Sequence, residues 1–117
     1  VTPEGRVKKF VSEFLERELH LVKLGGKGGI FNPQGFYWMP VPSGYGVSYL
    51  DYIGHYKGKF FGIETKAPGE KPTPRQNQAI ELTYGTGAVA FVIDELKDLE
   101  EIRQWRWAVD RIMKGTD

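Results

Sequence analysis

The sequence predicts an α/β (α+β) domain with a central mixed β-sheet flanked by helices. Three observations carry this prediction. Apolar residues recur at helical spacing at both ends of the chain, two strand-like runs meet at Lys57-Gly58, and a continuous apolar run over 88–93 follows a segment that opens like a helix. A hairpin followed by a helical crossover puts antiparallel and parallel pairs into one sheet. With 117 residues, 40% of them hydrophobic, the chain supports one core, read as a single domain over 1–117.

The elements follow in order. Thr2 suits an N-cap, Pro3 the first helical position and Glu4 the positive end of the helix dipole. Val7, Phe10, Val11, Phe14 and Leu15 then extend a helix to about His20. Residues 24–46 change character, with seven glycines (Gly25, Gly26, Gly28, Gly29, Gly35, Gly44 and Gly46) and prolines at 33, 40 and 42. They read as long loops around a short aromatic strand over 36–39. Two strands are predicted over 48–56 and 59–66, with Gly58 supplying the permissive turn residue. Thr73-Pro74-Arg75-Gln76 opens a second helix to about Tyr84, which Gly85 and Gly87 end. The run over 88–93 is a buried strand. A last helix covers 96–113, with Leu99, Ile102, Trp105 or Arg106, Val109 and Ile112 along its inner stripe. The predicted order is helix, three strands, helix, strand, helix.

Composition narrows the chemistry. Cysteine is absent, which excludes disulfides, thiolate metal sites and cysteine nucleophiles. The two histidines, His20 and His55, are far apart, which argues against a histidine-based zinc site. No apolar run approaches the roughly 18 residues of a membrane span, and no signal-peptide pattern opens the chain. These features fit a cytoplasmic protein with no membrane partner. Net charge is +1 but uneven: residues 1–75 hold 11 Lys/Arg against 7 Asp/Glu, and residues 76–117 hold 5 against 8. The first part is the one suited to meet a polyanion.

The stretch Gly62-Ile63-Glu64-Thr65-Lys66-Ala67-Pro68-Gly69 carries the most specific signal. Alternation along a strand puts Glu64 and Lys66 on one face. A two-residue loop at Lys57-Gly58 pairs Tyr56 with Lys59, so paired residue numbers sum to 115 and Asp51 falls opposite Glu64. Two facing carboxylates repel, and a divalent cation such as Mg²⁺ between them removes the penalty. Lys66 then stands beside the cation to orient water or stabilise a phosphorane-like transition state. The same spacing also fits an ordinary Lys–carboxylate pairing on a solvated strand face.

Asp51 and, after a hairpin, Glu64-Thr65-Lys66 resemble the PD-(D/E)XK nuclease signature. The string LDYIGHYKGKFFGIETKAPGEKPTPRQ, with TPEGRVKKF near the start and GAVAFVIDELKDLEEI near the end, is similar to the VRR-NUC branch, in particular its stand-alone phage and bacterial domains. Leu50 stands where the motif name has proline, at a position that is not a ligand.

The resemblance implies a restriction-endonuclease-like core and a deoxyribonuclease dependent on Mg²⁺ or Mn²⁺. Asp51 and Glu64 become metal ligands, the Thr65 main-chain carbonyl a third and Glu4 an additional acidic residue. Lys66 becomes the catalytic lysine, and Gln76 the glutamine of the following helix. It also implies branched or Holliday-junction DNA as substrate and a homodimer as the active form. Each residue keeps a plainer reading. Glu4 suits the helix N-terminus, with Glu18 as a rival nearer the apolar stripe, and Gln76 completes a capping box with Thr73. Lys57, Lys59, Lys71 and Arg75 flank the site and are candidates for holding phosphates, as well as ordinary surface cations. Tyr37, Trp38 and Tyr45 are candidates for stacking on unpaired bases, or for the core. His55 is a lesser candidate for proton transfer. The alternative function is a nucleic-acid-binding module that does not cleave, or a subunit of a phage replication or repair assembly.

Overall fold

The computed structural model describes residues 1–41 and 48–115. Tyr45, with Pro42, Gly44 and Gly46, lies outside the described residues. The elements are α1 (Pro3–Arg17), β1 (Leu21–Lys23), β2 (Gly35–Trp38), β3 (Tyr52–Tyr56), β4 (Lys59–Thr65), α2 (Pro74–Gly85), β5 (Val89–Ile93) and α3 (Leu99–Lys114), with a 3-10 turn at Leu96–Asp98 leading into α3. The five strands form one mixed sheet in the order β1-β2-β3-β4-β5, parallel at both ends and antiparallel in the middle.

The helix caps form as the sequence predicts. Thr2 Oγ1 accepts the Gly5 N–H at 2.9 Å. Thr73 and Gln76 make the reciprocal capping box, with distances of 3.2 and 2.9 Å. α1 is shorter than its predicted end near His20, because His20 takes a φ of 57° that turns the chain out of the helix and into β1. β1 is a fourth strand before α2 that the sequence does not announce. It has only three residues, too few to display an alternation, yet Leu21 is fully buried.

The hairpin register is the one the turn predicts: Tyr56 pairs with Lys59 and Tyr52 with Ile63. Lys57 and Gly58 both have positive φ, at 50° and 83°, the backbone of a tight hairpin turn with matching twist. Lys57 is held there by its N–H on the Gln34 carbonyl at 2.7 Å and its ammonium on Asp110 at 2.8 Å.

Alternation sends Tyr37, Tyr52, Tyr56, Phe61, Ile63, Phe91 and Ile93 to one face, and all are buried. α1 and α3 cover it. Buried tyrosine hydroxyls need partners, and each finds one on a helix. Tyr37 donates to Glu16 at 2.6 Å, Tyr52 to the Lys8 carbonyl at 2.9 Å, and Tyr56 to Asp110 at 2.8 Å. Trp105 of α3 packs its ring against Tyr56, Phe61 and Phe91. Ile112, predicted on the inner stripe, lies beyond the covered area and is 55% exposed. The opposite face carries α2. There Tyr49 stands over Gly62, where a Cβ would collide with its ring, and its hydroxyl bonds Thr83 at 2.6 Å. Among the described residues, no helix is long and apolar enough to cross a membrane.

Candidate functional site

The site forms at the open end of the hairpin, where β3 begins and β4 ends, next to the N-terminal turns of α1. Glu64 is the penultimate residue of β4, on the same face as Gly62, and is only 3% exposed. Lys66 follows just past the strand, its N–H still bonded to the Ile93 carbonyl of β5 at 3.0 Å. Its ammonium lies 3.8 Å from Glu64 Oε2. The two side chains aim one way, as the two-residue spacing predicts.

Asp51 behaves differently from a simple strand residue. The predicted strand over 48–56 begins only at Tyr52, and Asp51 sits in a bend before it. Its Oδ2 accepts the Thr65 N–H at 2.9 Å and the Thr65 hydroxyl at 2.7 Å. The carboxylate therefore takes a donor on β4 that a continued ladder would need, and the strand starts one residue later. Asp51 still lies close enough to Glu64 to act on its charge.

Lys8, which sequence reasoning missed, links α1 to this pair. Its ammonium is 2.6 Å from Glu4 Oε2 and 3.6 Å from Asp51 Oδ2. Glu4 thus reaches the site through Lys8. The available signal was the Glu4-x-x-x-Lys8 spacing, which puts both on one helix face. Glu18, the rival acid, is held at the far end of α1 by Arg103 of α3, at 2.8 and 2.9 Å.

The electrostatics follow from burial. Desolvation raises the Glu64 pKa from 4.5 to about 7, with the Asp51 charge adding to it. Lys66, the Asp51 main chain and Lys8 pull in the other direction without cancelling the rise. Burial works to lower the Lys8 pKa, but its bond to Glu4 and the charges of Asp51, Glu4 and Glu64 outweigh burial and raise it. The cluster is an acid kept close to neutrality, a second carboxylate and two ammonium groups, gathered at one end of the sheet.

This donor set suits a hard divalent cation of the Mg²⁺ kind, which takes one or two carboxylates and fills its remaining positions with water and phosphate oxygens. Among the described residues no group of three or more His, Asp or Glu side chains is arranged to hold a metal. The carboxylates that could contribute to such a site are Asp51 and Glu64.

The remaining candidates separate. Gln76 has its side-chain oxygen committed to the Thr73 N–H as a cap. Lys59, Lys71 and Arg75 are exposed, whereas Lys57 is paired with Asp110. Tyr37 is fully buried, so it belongs to the core and offers no ring to a ligand. Trp38 lies on the opposite, open face. His55 Nδ1 accepts the Gly58 N–H at 3.1 Å and its ring packs on Phe36, which makes it part of the turn. Comparison of the chain with protein-family models, curated proteins and solved structures gives no match.

Proposed function

We propose that this chain is a Mg²⁺- or Mn²⁺-dependent endonuclease of the VRR-NUC, PD-(D/E)XK type, built on a restriction-endonuclease-like core, that hydrolyses DNA phosphodiester bonds. The observation that carries the reading is the Lys66 ammonium 3.8 Å from a Glu64 that is 3% exposed, with Asp51 beside them at the end of the hairpin. A solvated surface pairing does not bury its carboxylate, and a module that only binds DNA has no use for an acid this costly to ionise.

Asp51, in the bend before β3, and Glu64, near the end of β4, would hold the cation, with the Thr65 main-chain carbonyl as a third protein ligand. A bound divalent cation supplies Lewis acidity toward the scissile phosphate and lowers the barrier to water attack. Lys66 orients the attacking water and stabilises the negative charge that builds on the phosphate oxygens. Thr65 fixes Asp51 through two hydrogen bonds, so the carboxylate is positioned before substrate arrives. Lys8 holds Glu4 and Asp51 together from α1 and balances their charge.

Lys71 and Arg75, which follow β4, provide phosphate contacts near the site, Gln76 supports its rim from the start of α2, and Lys59, at the turn end of β4 about 17 Å along the strand from Glu64, meets the DNA farther away. The substrate class is branched DNA, including four-way junctions. A homodimer supplies two equivalent sites for two equivalent strands, and the setting is the cytoplasm of a bacterium or of a phage-infected host. Incubating the protein with single-stranded, duplex, flapped and four-way DNA, with Mg²⁺, Mn²⁺ or EDTA, tests this. Cation-dependent cleavage favouring the branched substrates supports the reading, and uncut DNA throughout rejects it.

A further inference from the structure

One ammonium group lies among three carboxylates at the open end of the hairpin. Lys8 Nζ is 2.6 Å from Glu4 Oε2 and 3.6 Å from Asp51 Oδ2, so it joins α1 to the bend before β3. The charges of Asp51, Glu4 and Glu64 all act on it. An ordinary i,i+4 pair joins two residues of one helix and leaves both in solvent. This pair reaches a third residue on another element, and the Lys8 side chain is only 30% exposed.

The helix is also fastened to the sheet at Lys8 itself. Tyr52, the residue after Asp51, is fully buried, and its hydroxyl donates to the Lys8 carbonyl at 2.9 Å. The Ser12 hydroxyl, one helical turn on, meets the same phenol oxygen at 2.9 Å. A buried phenol needs partners of this kind, so the packing that buries Tyr52 also fixes the backbone from which the Lys8 side chain starts. From that anchor the side chain runs to Glu4 and Asp51.

We infer that Lys8 is a resident cation of the site: its ammonium takes the place between Glu4 and Asp51 that a second divalent ion would otherwise fill, and so limits the site to one exchangeable cation. The inference rests on the nuclease reading above and names the number of cations that its site exchanges. Two observations select it over a pair that only fastens α1. The first is the use of Glu4. Its carboxylate is engaged by Lys8, and among the described residues no three carboxylates converge to hold a metal.

The second is charge. When ionised, Glu4, Asp51 and Glu64 against Lys8 and Lys66 leave the cluster at −1. One divalent cation takes it to +1, and a second takes it to +3, a charge that opposes its own entry. Without Lys8 the same two steps end at 0 and +2. Lys8 thus relieves the repulsion between Glu4 and Asp51 while no cation is bound, and it does so with a charge that cannot leave.

The test is titration calorimetry with Mn²⁺ on wild type, Lys8→Met, Lys8→Arg and the double variant Glu4→Gln/Lys8→Met, with thermal unfolding to verify that each is folded. Methionine keeps most of the side-chain length without the charge, and arginine keeps the charge. Lys8→Gln replaces Lys8→Met if the latter does not fold. Wild type should bind one Mn²⁺ per chain. Lys8→Met should bind Mn²⁺ about tenfold or more tightly, since a unit of like charge beside a divalent ion is gone. Lys8→Arg should bind like wild type. The double variant should fall back toward wild type, because the carboxylate that Lys8→Met releases is then missing. Two Mn²⁺ per wild-type chain overturn the inference, as does Mn²⁺ binding by the folded uncharged variant that is equal to wild type or weaker; a pair that only fastened α1 would give that weaker binding. Cleavage of DNA by wild type alongside unmoved Mn²⁺ affinity in Lys8→Met rejects the role of Lys8 alone. Tighter Mn²⁺ binding by Lys8→Met without cleavage of any DNA by wild type rejects the nuclease reading alone. Absence of Mn²⁺ binding in every protein rejects both.

Discussion

Replacing Glu64 with Gln should stabilise the cation-free protein, and only where Glu64 is being forced to ionise. The unfolded carboxyl titrates near 4.5 and the folded one near 7, raised first by burial and then by Asp51. Between these values the native state keeps a proton that the unfolded chain has lost, so wild-type stability falls as pH rises through the interval and levels off above pH 7. At about 1.4 kcal/mol per pH unit, the full effect is about 3 kcal/mol. Gln stays neutral throughout and avoids this loss. It also leaves the Lys66 ammonium without its partner, which brings the expected gain to about 1–3 kcal/mol. For a domain of this size each kcal/mol moves the melting temperature by about 4 °C. Melting curves in EDTA should therefore nearly coincide near pH 4.5 and separate by roughly 4–12 °C above pH 7, with Glu64→Gln the higher. A difference that does not vary with pH, or a less stable variant above pH 7, would refute the account of Glu64 as a buried acid. Adding Mn²⁺ should narrow the gap, because only wild type retains both carboxylate ligands.

Asp51→Ala should act in the opposite sense. It removes the acceptor for both the N–H and the hydroxyl of Thr65, which is fully buried, and urea unfolding should show a loss of about 2–4 kcal/mol. Lys66→Ala should abolish cleavage while leaving Mn²⁺ affinity close to wild type in calorimetry, since a protonated lysine is no ligand; loss of Mn²⁺ binding would contradict the role assigned to it. Neutralising Lys59, Lys71 and Arg75 with Gln should flatten the slope of log DNA affinity against log salt by up to about 0.9 for each phosphate left without its cation. Lys57→Gln should change it less, because Lys57 is already paired with Asp110 at 2.8 Å.

The hairpin and its charged pair were legible because a tight turn leaves little freedom. Lys57-Gly58 sets the register from Tyr56↔Lys59 to Tyr52↔Ile63, and alternation along β4 puts Glu64 on the face that Lys66 also takes; the ladder ends before the expected Asp51–Glu64 pair. The caps at Thr2 and Thr73 were legible for a similar reason, since their partners lie three residues away in the chain. Longer-range features were not. β1 is too short to show a period and is made a strand by its pairing with β2. Asp51 alternates like a strand residue, and only the proximity of Thr65 turns it into a bend. Lys8 joins the site through the packing of α1 on the sheet. The segment Gly35-Phe36-Tyr37-Trp38 reads equally well with either parity inward. Glu16 on α1 decides it by accepting the Tyr37 hydroxyl, which buries Tyr37 and turns Phe36 and Trp38 outward. That parity assigns Tyr37 to the core, the second of the two readings its sequence allowed.

The central claim is that Asp51, Glu64 and Lys66 form a cation-dependent phosphodiesterase centre. Its most direct test is single-turnover cleavage of a labelled four-way junction by wild type and by Glu64→Gln, each with Mg²⁺, with Mn²⁺ and with EDTA. The melting curve of the variant verifies that it is folded. Wild type should cleave with either cation and not with EDTA, and a folded Glu64→Gln should cleave at a rate at least about a hundredfold lower. Wild-type cleavage that persists in EDTA, or a folded Glu64→Gln that cuts at the wild-type rate, would contradict it.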